Sequence, residues 1–377
     1  MKLFHLSDLH LGKILSGYSL IEDQEAMLFT QVLPLIDARK PEVLLLSGDL
    51  FDRQTPPLEA LSLYDRFLDA VLSRGVKVLA ISGNHDSSLR VSQHRHILEK
   101  GGYFVAGPYQ GRIPQVVLED EYGPVVFYLL SYFSPSRLMP YGLEGLTFDT
   151  SFDDAMGMIL NREKVDESQR NVLLLHQAVA GASRDPSDTK PLLSSAASDY
   201  LSPSRLKAFD YVALGHIHKT YKVTDRIVYP GALLPYHPEE SNQRYLSYVE
   251  LGRKGDYHQE FLPLTPKRKM RVLQGSIEEL LSMPNDSENY VFVRITDESV
   301  QENLPSLLTR KYPFFLGAER VTAARVPQAE NSSFSPKRTM LETLEAFYRQ
   351  KTGKDLSPEE KSYLTSLIRE MEEEEEK

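Results

Sequence analysis

A mixed α/β core of two sheets covered by helices is the fold class this 377-residue chain predicts, and three observations carry that expectation. Up to residue 81, apolar runs alternate with amphipathic stretches in a β-α-β-α-β rhythm, which sets parallel strands side by side with helices on the sheet faces. From residue 103 the rhythm changes to short apolar runs separated by Gly and Pro, as in hairpins. Five apolar runs stop at Asp, Asn or His, and open α/β sheets bind ligands just beyond the carboxyl ends of their strands.

Taken in order, Lys2 to Ser7 runs into Asp8-Leu9-His10. Glu22 to Arg39, with Ile21, Met27, Leu28, Val32, Leu35 and Ile36 at near-helical spacing, predicts a helix that Pro34 kinks or ends. Val43 to Ser47 is a buried strand closed by Gly48 and followed by Asp49. Pro57 to Ser73 predicts a helix with Leu61, Tyr64, Leu68 and Leu72 on its apolar face. Val76 to Ile81 leads through Ser82-Gly83 into Asn84-His85-Asp86.

Tyr103 to Val105, Ile113 to Leu118 and Val125 to Leu130 predict short, hairpin-like strands, and Phe152 to Leu160 a helix. Val172 to Leu175 ends in His176, and the Ser-rich stretch 177–203 reads as a long surface loop beside a site. Tyr211 to Gly215 runs into His216-Ile217-His218; 226–229, 244–251 and 257–262 follow as antiparallel strands. Pro263-Leu264-Thr265-Pro266 marks a boundary, so 1–265 is one domain and 266–325 a small α/β unit. In that unit Met270 to Leu273, Tyr290 to Ile295 and Arg320 to Ala323 are expected strands; Ile277 to Ser282 and Leu304 to Tyr312 are expected helices. Polar residues 326–337 read as a linker. In 338–377, Met340, Leu341, Leu344, Phe347 and Tyr348 form one amphipathic stripe, and Tyr363, Leu364, Leu367, Ile368 and Met371 another. The second helix starts at Ser357-Pro358-Glu359-Glu360, a capping box with Pro at the first helical position. Both stripes need a surface to cover, in this chain or in a partner.

Composition sets outer limits. There is no cysteine, so a disulfide framework and thiolate metal ligation are both excluded. No apolar run is long enough to cross a bilayer and no secretory h-region opens the chain, so a cytoplasmic protein without membrane attachment is expected. A net charge of −10 argues against DNA binding by the whole surface. Five of those charges sit in the tail Glu372 to Glu376, however, and metal-binding carboxylates also count as bare negatives in the sum.

The strand endings point to a pair of divalent cations. Phosphate ester hydrolysis needs a nucleophile at neutral pH and compensation for developing negative charge; two cations roughly 3.5–4 Å apart supply both. One ligand must bridge them, and a carboxylate does so naturally, so Asp49 is the candidate. Asp8, His10 and His218 would complete one shell, and Asn84, His176 and His216 the other. His216 and His218 are two apart in an extended segment, so each can address one of two neighbouring ions. His85 can protonate a leaving oxygen or stabilise charge on the phosphoryl group. Asp86 either orients that imidazole or caps a helix. His5 reads as structural, His94 and His96 as solvent-facing, and His237 and His258 as surface residues, although His237 belongs to a loop that could border the site.

Asp8-Leu9-His10-Leu11-Gly12, Gly48-Asp49-Leu50-Phe51-Asp52, Gly83-Asn84-His85-Asp86, His176 and Gly215-His216-Ile217-His218 together resemble the calcineurin-like metallophosphoesterase signature. Each alone is a common turn or strand end; in order, each behind a buried strand, they are specific. The variants resemble the DNA double-strand-break nuclease branch, and the likeness extends over nearly the whole length. It implies a four-layer αββα core, a capping, DNA-binding domain after Pro266 and C-terminal helices that bind a partner. It also implies two Mn²⁺ ions, with Mg²⁺, Fe²⁺ or Zn²⁺ as other possible occupants. The implied activity is 3′→5′ exonuclease action on duplex ends plus single-strand endonuclease and hairpin cleavage. The implied partners are duplex and single-stranded DNA and a coiled-coil, SMC-like ATPase, in a complex with two copies of each subunit near the nucleoid. Leu9 stands where bacterial relatives usually carry Trp, and Asp52 where archaeal and eukaryotic relatives usually carry His, which favours the bacterial branch and leaves the role of Asp52 open.

Two other readings share these residues. A small-substrate phosphoesterase acting on phosphomonoesters or cyclic nucleotides has the same site chemistry but needs neither the unit after Pro266 nor the terminal helices. A scaffold that no longer cleaves would not keep every ligand position. The basic run Lys267 to Arg271 is either a phosphate-backbone contact or a solvated linker.

Overall fold

The computed structural model describes residues 1–147, 150–181, 200–297, 304–321, 348–349, 355–358 and 360–365. Residues 1–322 form one compact unit and 323–377 a second. The first unit begins with β1 (Lys2–Leu6), a small ribbon β2 (Ile14–Leu15) and β3 (Tyr18–Ser19), then β4 (Val43–Ser47), β5 (Lys77–Ile81) and β6 (Tyr103–Val105). It continues with β7 (Gln115–Asp120), β8 (Gly123–Leu130), β9 (Arg170–His176), β10 (Tyr211–Gly215), β11 (Tyr221–Thr224), β12 (Ile227–Tyr229), β13 (Arg244–Leu251) and β14 (Tyr257–Leu264). β15 (Met270–Gly275), β16 (Tyr290–Ile295) and β17 (Phe315–Arg320) complete it.

Two six-stranded sheets result, one ordered β14-β13-β1-β4-β5-β6 and the other β11-β12-β10-β9-β8-β7. The period of two explains why they stack. Leu3, Val43, Leu45, Leu79 and Ile81 point inward from the first sheet and meet Phe127, Leu129, Val172, Leu174 and Ala213 of the second. The alternate residues Phe4, Leu44, Leu46, Val78 and Ala80 face outward against the helices Leu33–Arg39 and Leu58–Leu72. On the far side Leu173, Leu175, Val212 and Leu214 face the helix Phe152–Glu163. Strands buried on both faces read as unbroken apolar runs, which is the pattern that marked them. The layers are αββα.

Several expectations need correction. The first helix is three segments, Ile21–Met27, a π turn at Leu28–Val32 and Leu33–Arg39. Pro34 has no N–H to donate and stands at the start of the last segment, with the π turn just ahead of it. In Leu58–Leu72 the buried face is Ala60, Leu63, Tyr64, Phe67 and Val71, one residue round from the predicted stripe, and Leu61 is 37% exposed. The face that wins is the one that buries Phe67. β6 pairs with β5 in parallel, by crossover and not by hairpin. β11 was not anticipated; it is an edge strand alternating half-buried and exposed positions. β17 lies five residues before the predicted Arg320 to Ala323, because Leu316 is the side chain that reaches the core.

β15, β16 and β17 form a parallel sheet with the helices Ile277–Ser282 and Leu304–Lys311, and Leu280, Val291, Val293, Leu304 and Leu308 fill its core. The basic run at its start is neither a free phosphate contact nor a solvated linker throughout. Arg268 donates to Asp23 at 2.7 Å and lies over the Phe314 ring, while Arg271 pairs with Asp286 at 2.5 Å. In the second unit the capping box is made: Ser357 N–H donates to Glu360 at 2.8 Å and Glu360 N–H to Ser357 Oγ at 3.2 Å. The loop 182–199, the linker and most of both terminal stripes lie outside the described residues.

Candidate metal centre

β1, β4 and β5 are parallel in one sheet and β9 and β10 in the other, and the carboxyl ends of all five meet at one edge. The β1–β4 pairing continues past the strand ends: His10 N–H donates to Asp49 O at 2.9 Å and Leu11 N–H to Leu50 O at 3.0 Å. The two sheets touch here. A Cβ on Gly215 would stand 2.0 Å from the Ser47 carbonyl oxygen, and one on Gly83 would stand 2.1 Å from Asp49 Oδ1. Only glycine permits these approaches.

Seven predicted ligands converge. His10 Nε2 lies 3.1 Å from His218 Nε2 and 3.6 Å from Asp49 Oδ2. Ligand atoms of Asp8, His10 and His218 all fall within 4.8 Å of one another, and so do those of Asp8, Asp49 and His176. On the other side His176 Nε2 is 3.3 Å from Asp49 Oδ2 and 3.1 Å from Asn84 Oδ1, which is 3.0 Å from His216 Nδ1. Asp49 thus touches both groups. The donor set is all O and N, the choice of borderline and hard divalent ions. His10 Nε2 and His218 Nε2 face each other beside Asp8 and Asp49, and facing imidazole nitrogens beside two carboxylates call for a cation between them, while the other His10 nitrogen, Nδ1, lies 3.6 Å from Asp52 Oδ1.

The calcineurin-like phosphoesterase family model matches residues 1–220. The chain belongs to that family. Along 98% of both chains it is 25% identical to a Staphylococcus epidermidis protein named as a nuclease subunit of SbcCD. Among solved structures, the calcineurin-like phosphoesterase YfkN from Bacillus subtilis aligns with 70% of this chain and 90% of its own at 14% identity and a TM-score of 0.37. The β-glucosidase BglU from Micrococcus antarcticus aligns with 84% and 83% at 12% identity and a TM-score of 0.22. Scores this low carry no argument about fold. A calcineurin-like phosphoesterase is a metal-dependent hydrolase, and the residues here fit that requirement.

The phosphoesterase site is strained as well as dense. Asp8, His10, Asp49 and His216 all have positive φ, at 51°, 43°, 49° and 99°. For residues other than glycine this costs of order 1–3 kcal/mol each, and the surrounding hydrogen bonds hold it in place. Burial opposes the charge of Asp49, yet His176 and His10 outweigh it and hold its carboxyl well below the usual range. For His176 burial acts downward, but Asp49 and Asp8 push it up to about 9. Burial and the charge of His176 take His216 down to about 3. Asp8 is raised by burial, against the pull of His176 and His218.

Around these candidate ligands lie residues in supporting positions. The half-buried His85 donates Nδ1–H to the Asp52 carbonyl at 3.0 Å, and its backbone N–H donates to Asp49 Oδ1 at 2.9 Å. Asp86 therefore fills neither predicted role. Its carboxylate accepts the N–H groups of Gly83, Leu50 and Phe51 at 2.9, 3.0 and 2.9 Å, tying the β4 and β5 loops together beneath the site. The Asp52 carboxylate is matched by Lys13 at 2.7 Å. Sequence reasoning missed Gln24, which donates to Leu9 O and His10 O; Tyr236, edge-on to His10 and His218; and Glu240, 3.0 Å from His218 Nδ1. No local signal marks them, since each lies outside the strand tips. His237 lines a cavity of about 240 Å³ with Leu15, Phe292 and Arg294, away from the ligands. His5 is buried and meets the Tyr211 hydroxyl at 2.7 Å; His94, His96 and His258 are exposed.

Proposed function

We propose that this phosphoesterase is a DNA nuclease, the cleaving component of an SbcCD-type complex. The reading is supported most by one juxtaposition: two groups of O/N ligands sharing Asp49, in a chain that aligns end to end with a protein named as a nuclease subunit of SbcCD. Asp8, His10 and His218 hold one cation and Asn84, His176 and His216 the other. Mn²⁺ is the preferred ion. When bound, the pair supplies an activated water and neutralises charge on the phosphoryl oxygens.

The protein's own part is positioning. Asp49 fixes the spacing of the two groups, and Ser47 O fixes the His176 ring through Nδ1–H at 2.8 Å. His85, anchored by Asp52 O, presents Nε2 to the leaving oxygen and as imidazolium delivers its proton there. The substrates are duplex ends, cut 3′→5′, and single strands and hairpins, cut internally. Residues 1–265 form the nuclease domain and 266–325 the capping, DNA-binding domain. Residues 338–377, joined by the linker 326–337, bind the coiled-coil ATPase SbcC in an assembly with two copies of each, working in the cytoplasm at the nucleoid. Linear duplex DNA and a nitrophenyl phosphodiester, each incubated with the protein and Mn²⁺, test this. Degradation of the DNA is the expected result. Turnover of the small ester alone, with DNA left intact when the ATPase is present, would reject it in favour of a small-substrate enzyme.

A further inference from the structure

The segment between β12 and β13 touches the metal centre on one side and the β15–β17 sheet on the other. Toward the centre, Glu240 Oε1 accepts the His218 Nδ1–H at 3.0 Å, while Glu240 Oε2 takes Arg244 Nη2 at 2.8 Å and the Tyr236 N–H at 3.2 Å. Arg244 is buried and donates Nη1–H to the His218 carbonyl at 3.0 Å, so side chain and backbone of His218 are both held by this pair. Toward the sheet, Glu239 pairs with Arg294 of β16 at 2.5 Å, and Arg294 also meets Glu319 of β17 at 2.7 Å. Asn242 is matched twice with Met270 of β15: its Nδ2 donates to Met270 O at 2.8 Å and its Oδ1 accepts the Met270 N–H at 2.6 Å. Beside these links lies the cavity of about 240 Å³ lined by Tyr236, His237, Phe292 and Leu316, where packing does not lock the two parts together.

We propose that residues 236–244 couple the β15–β17 sheet to the metal centre, with Glu240 as the positioning residue that turns His218 Nε2 toward Asp8 and His10. The inference rests on the reading of His218 as a metal ligand. A carboxylate on the far nitrogen of a metal-bound imidazole fixes its tautomer and its ring angle, and losing it typically costs about 10–100-fold in metal affinity. Glu239 and Glu240 are adjacent, so a shift of the sheet that drags Arg294 and Met270 also drags the carboxylate that sets His218. By linkage, a bound cation must in turn steady the sheet.

The test uses the full chain and MnCl₂ alone, followed by calorimetry and by amide hydrogen exchange. Glu240→Ala should weaken Mn²⁺ binding at one of two sites by about 10–100-fold, and Glu240→Gln, whose amide oxygen still accepts the Nδ1 proton, should lose less. Arg294→Gln touches no ligand; it should weaken the same site and abolish the slowing of exchange in Met270–Gly275 that Mn²⁺ produces in the unaltered chain. Asp49→Asn separates the two readings. If it abolishes binding while Glu240→Ala and Arg294→Gln bind as the unaltered protein does, the coupling is wrong and the ligand assignment stands. If Asp49→Asn also binds normally, the ligand assignment falls and the coupling with it.

Discussion

His176 Nε2 stands 3.3 Å from Asp49 Oδ2 while its Nδ1–H is spent on the Ser47 carbonyl at 2.8 Å, so a buried imidazole and carboxylate face each other in one fixed geometry. Without a cation, the proton on Nε2 plays the cation's part. Burial alone would strip that proton; Asp49 and Asp8 keep it until about pH 9, while Asp49 stays ionised. On the proposed reading of His176 as a ligand, a metal ion must displace it. Affinity for the ion that takes His176 should therefore rise with pH below about 9, by up to tenfold per unit, with release of about one proton from His176 as that ion binds. Calorimetry of MnCl₂ binding near pH 7 in two buffers of different ionisation heat measures this directly. Identical heats would mean that His176 is not displaced from Asp49 by the metal.

His85 and Asp86 are neighbours with separable effects. His85→Gln should lower kcat by about 10²–10⁴-fold, the usual contribution of a positioned acid, without changing Mn²⁺ affinity. Asp86→Ala strands three backbone N–H groups at Gly83, Leu50 and Phe51. Loss of stability by at least about 3 kcal/mol should follow, since each buried donor left unmatched costs about 1–3. Urea unfolding of both variants distinguishes them: a stable Asp86→Ala would deny it the tying role, and an unstable His85→Gln would make that residue structural.

Which residues could be read beforehand follows from how each is held. Asp8, Asp49, Asn84, His176 and His216 were legible because each closes a strand buried on both faces, and burial writes itself into sequence as an unbroken apolar run. Glu240 and Gln24 were not, because they reach the site from an irregular segment and from a helix, where a polar residue carries no sign of what it touches. Asp86 was misread for a related reason. Adjacent to His85 in sequence, it points away from that ring, and sequence distance says little about direction at a turn. The register errors at Leu61 and β17 share another cause: periodicity tells that a face exists, while the bulk of Phe67 and of Leu316 decides which face is buried.

His5 gives a prediction about stability that does not involve the metal centre. It is fully buried between the sheets beside Tyr211, and burial, only partly offset by the Leu214 carbonyl, lowers it from 6.5 to about 3. A base whose folded-state value is depressed stays neutral in the native protein while the unfolded chain takes up the proton. Its contribution is thus complete above about pH 6.5 and is lost as pH falls toward 3, at up to about 1.4 kcal/mol per unit. Replacing it by Gln, which does not titrate, should flatten the fall in stability between about pH 6 and 4 relative to the unaltered chain. Parallel curves for the two proteins would show that His5 is not protonated on unfolding in that window.

Next to Asn84 a polar cleft of about 210 Å³ leads away from the centre, lined by Gln54, Ser88, Tyr132, Ser134 and Arg137. The Tyr132 ring lies nearly parallel to His216 at 6.5 Å, so on the nuclease reading a base or sugar leaving the centre on that side would run along it. Arg137 is exposed, and among the described residues no carboxylate pairs with it. An arginine that no described carboxylate pairs with, at the mouth of a phosphoesterase cleft, suits the phosphate that flanks the scissile one. Arg137→Ala should raise KM for DNA without lowering kcat, equally for all sequences. It should also reduce the slope of log affinity against log salt by about 0.9 for one duplex phosphate contact. An unchanged slope with unchanged KM would place the flanking phosphate elsewhere. A fall in kcat at unchanged KM would instead put Arg137 at the reacting phosphate itself, and the substrate path would have to be drawn on the opposite side of Asn84.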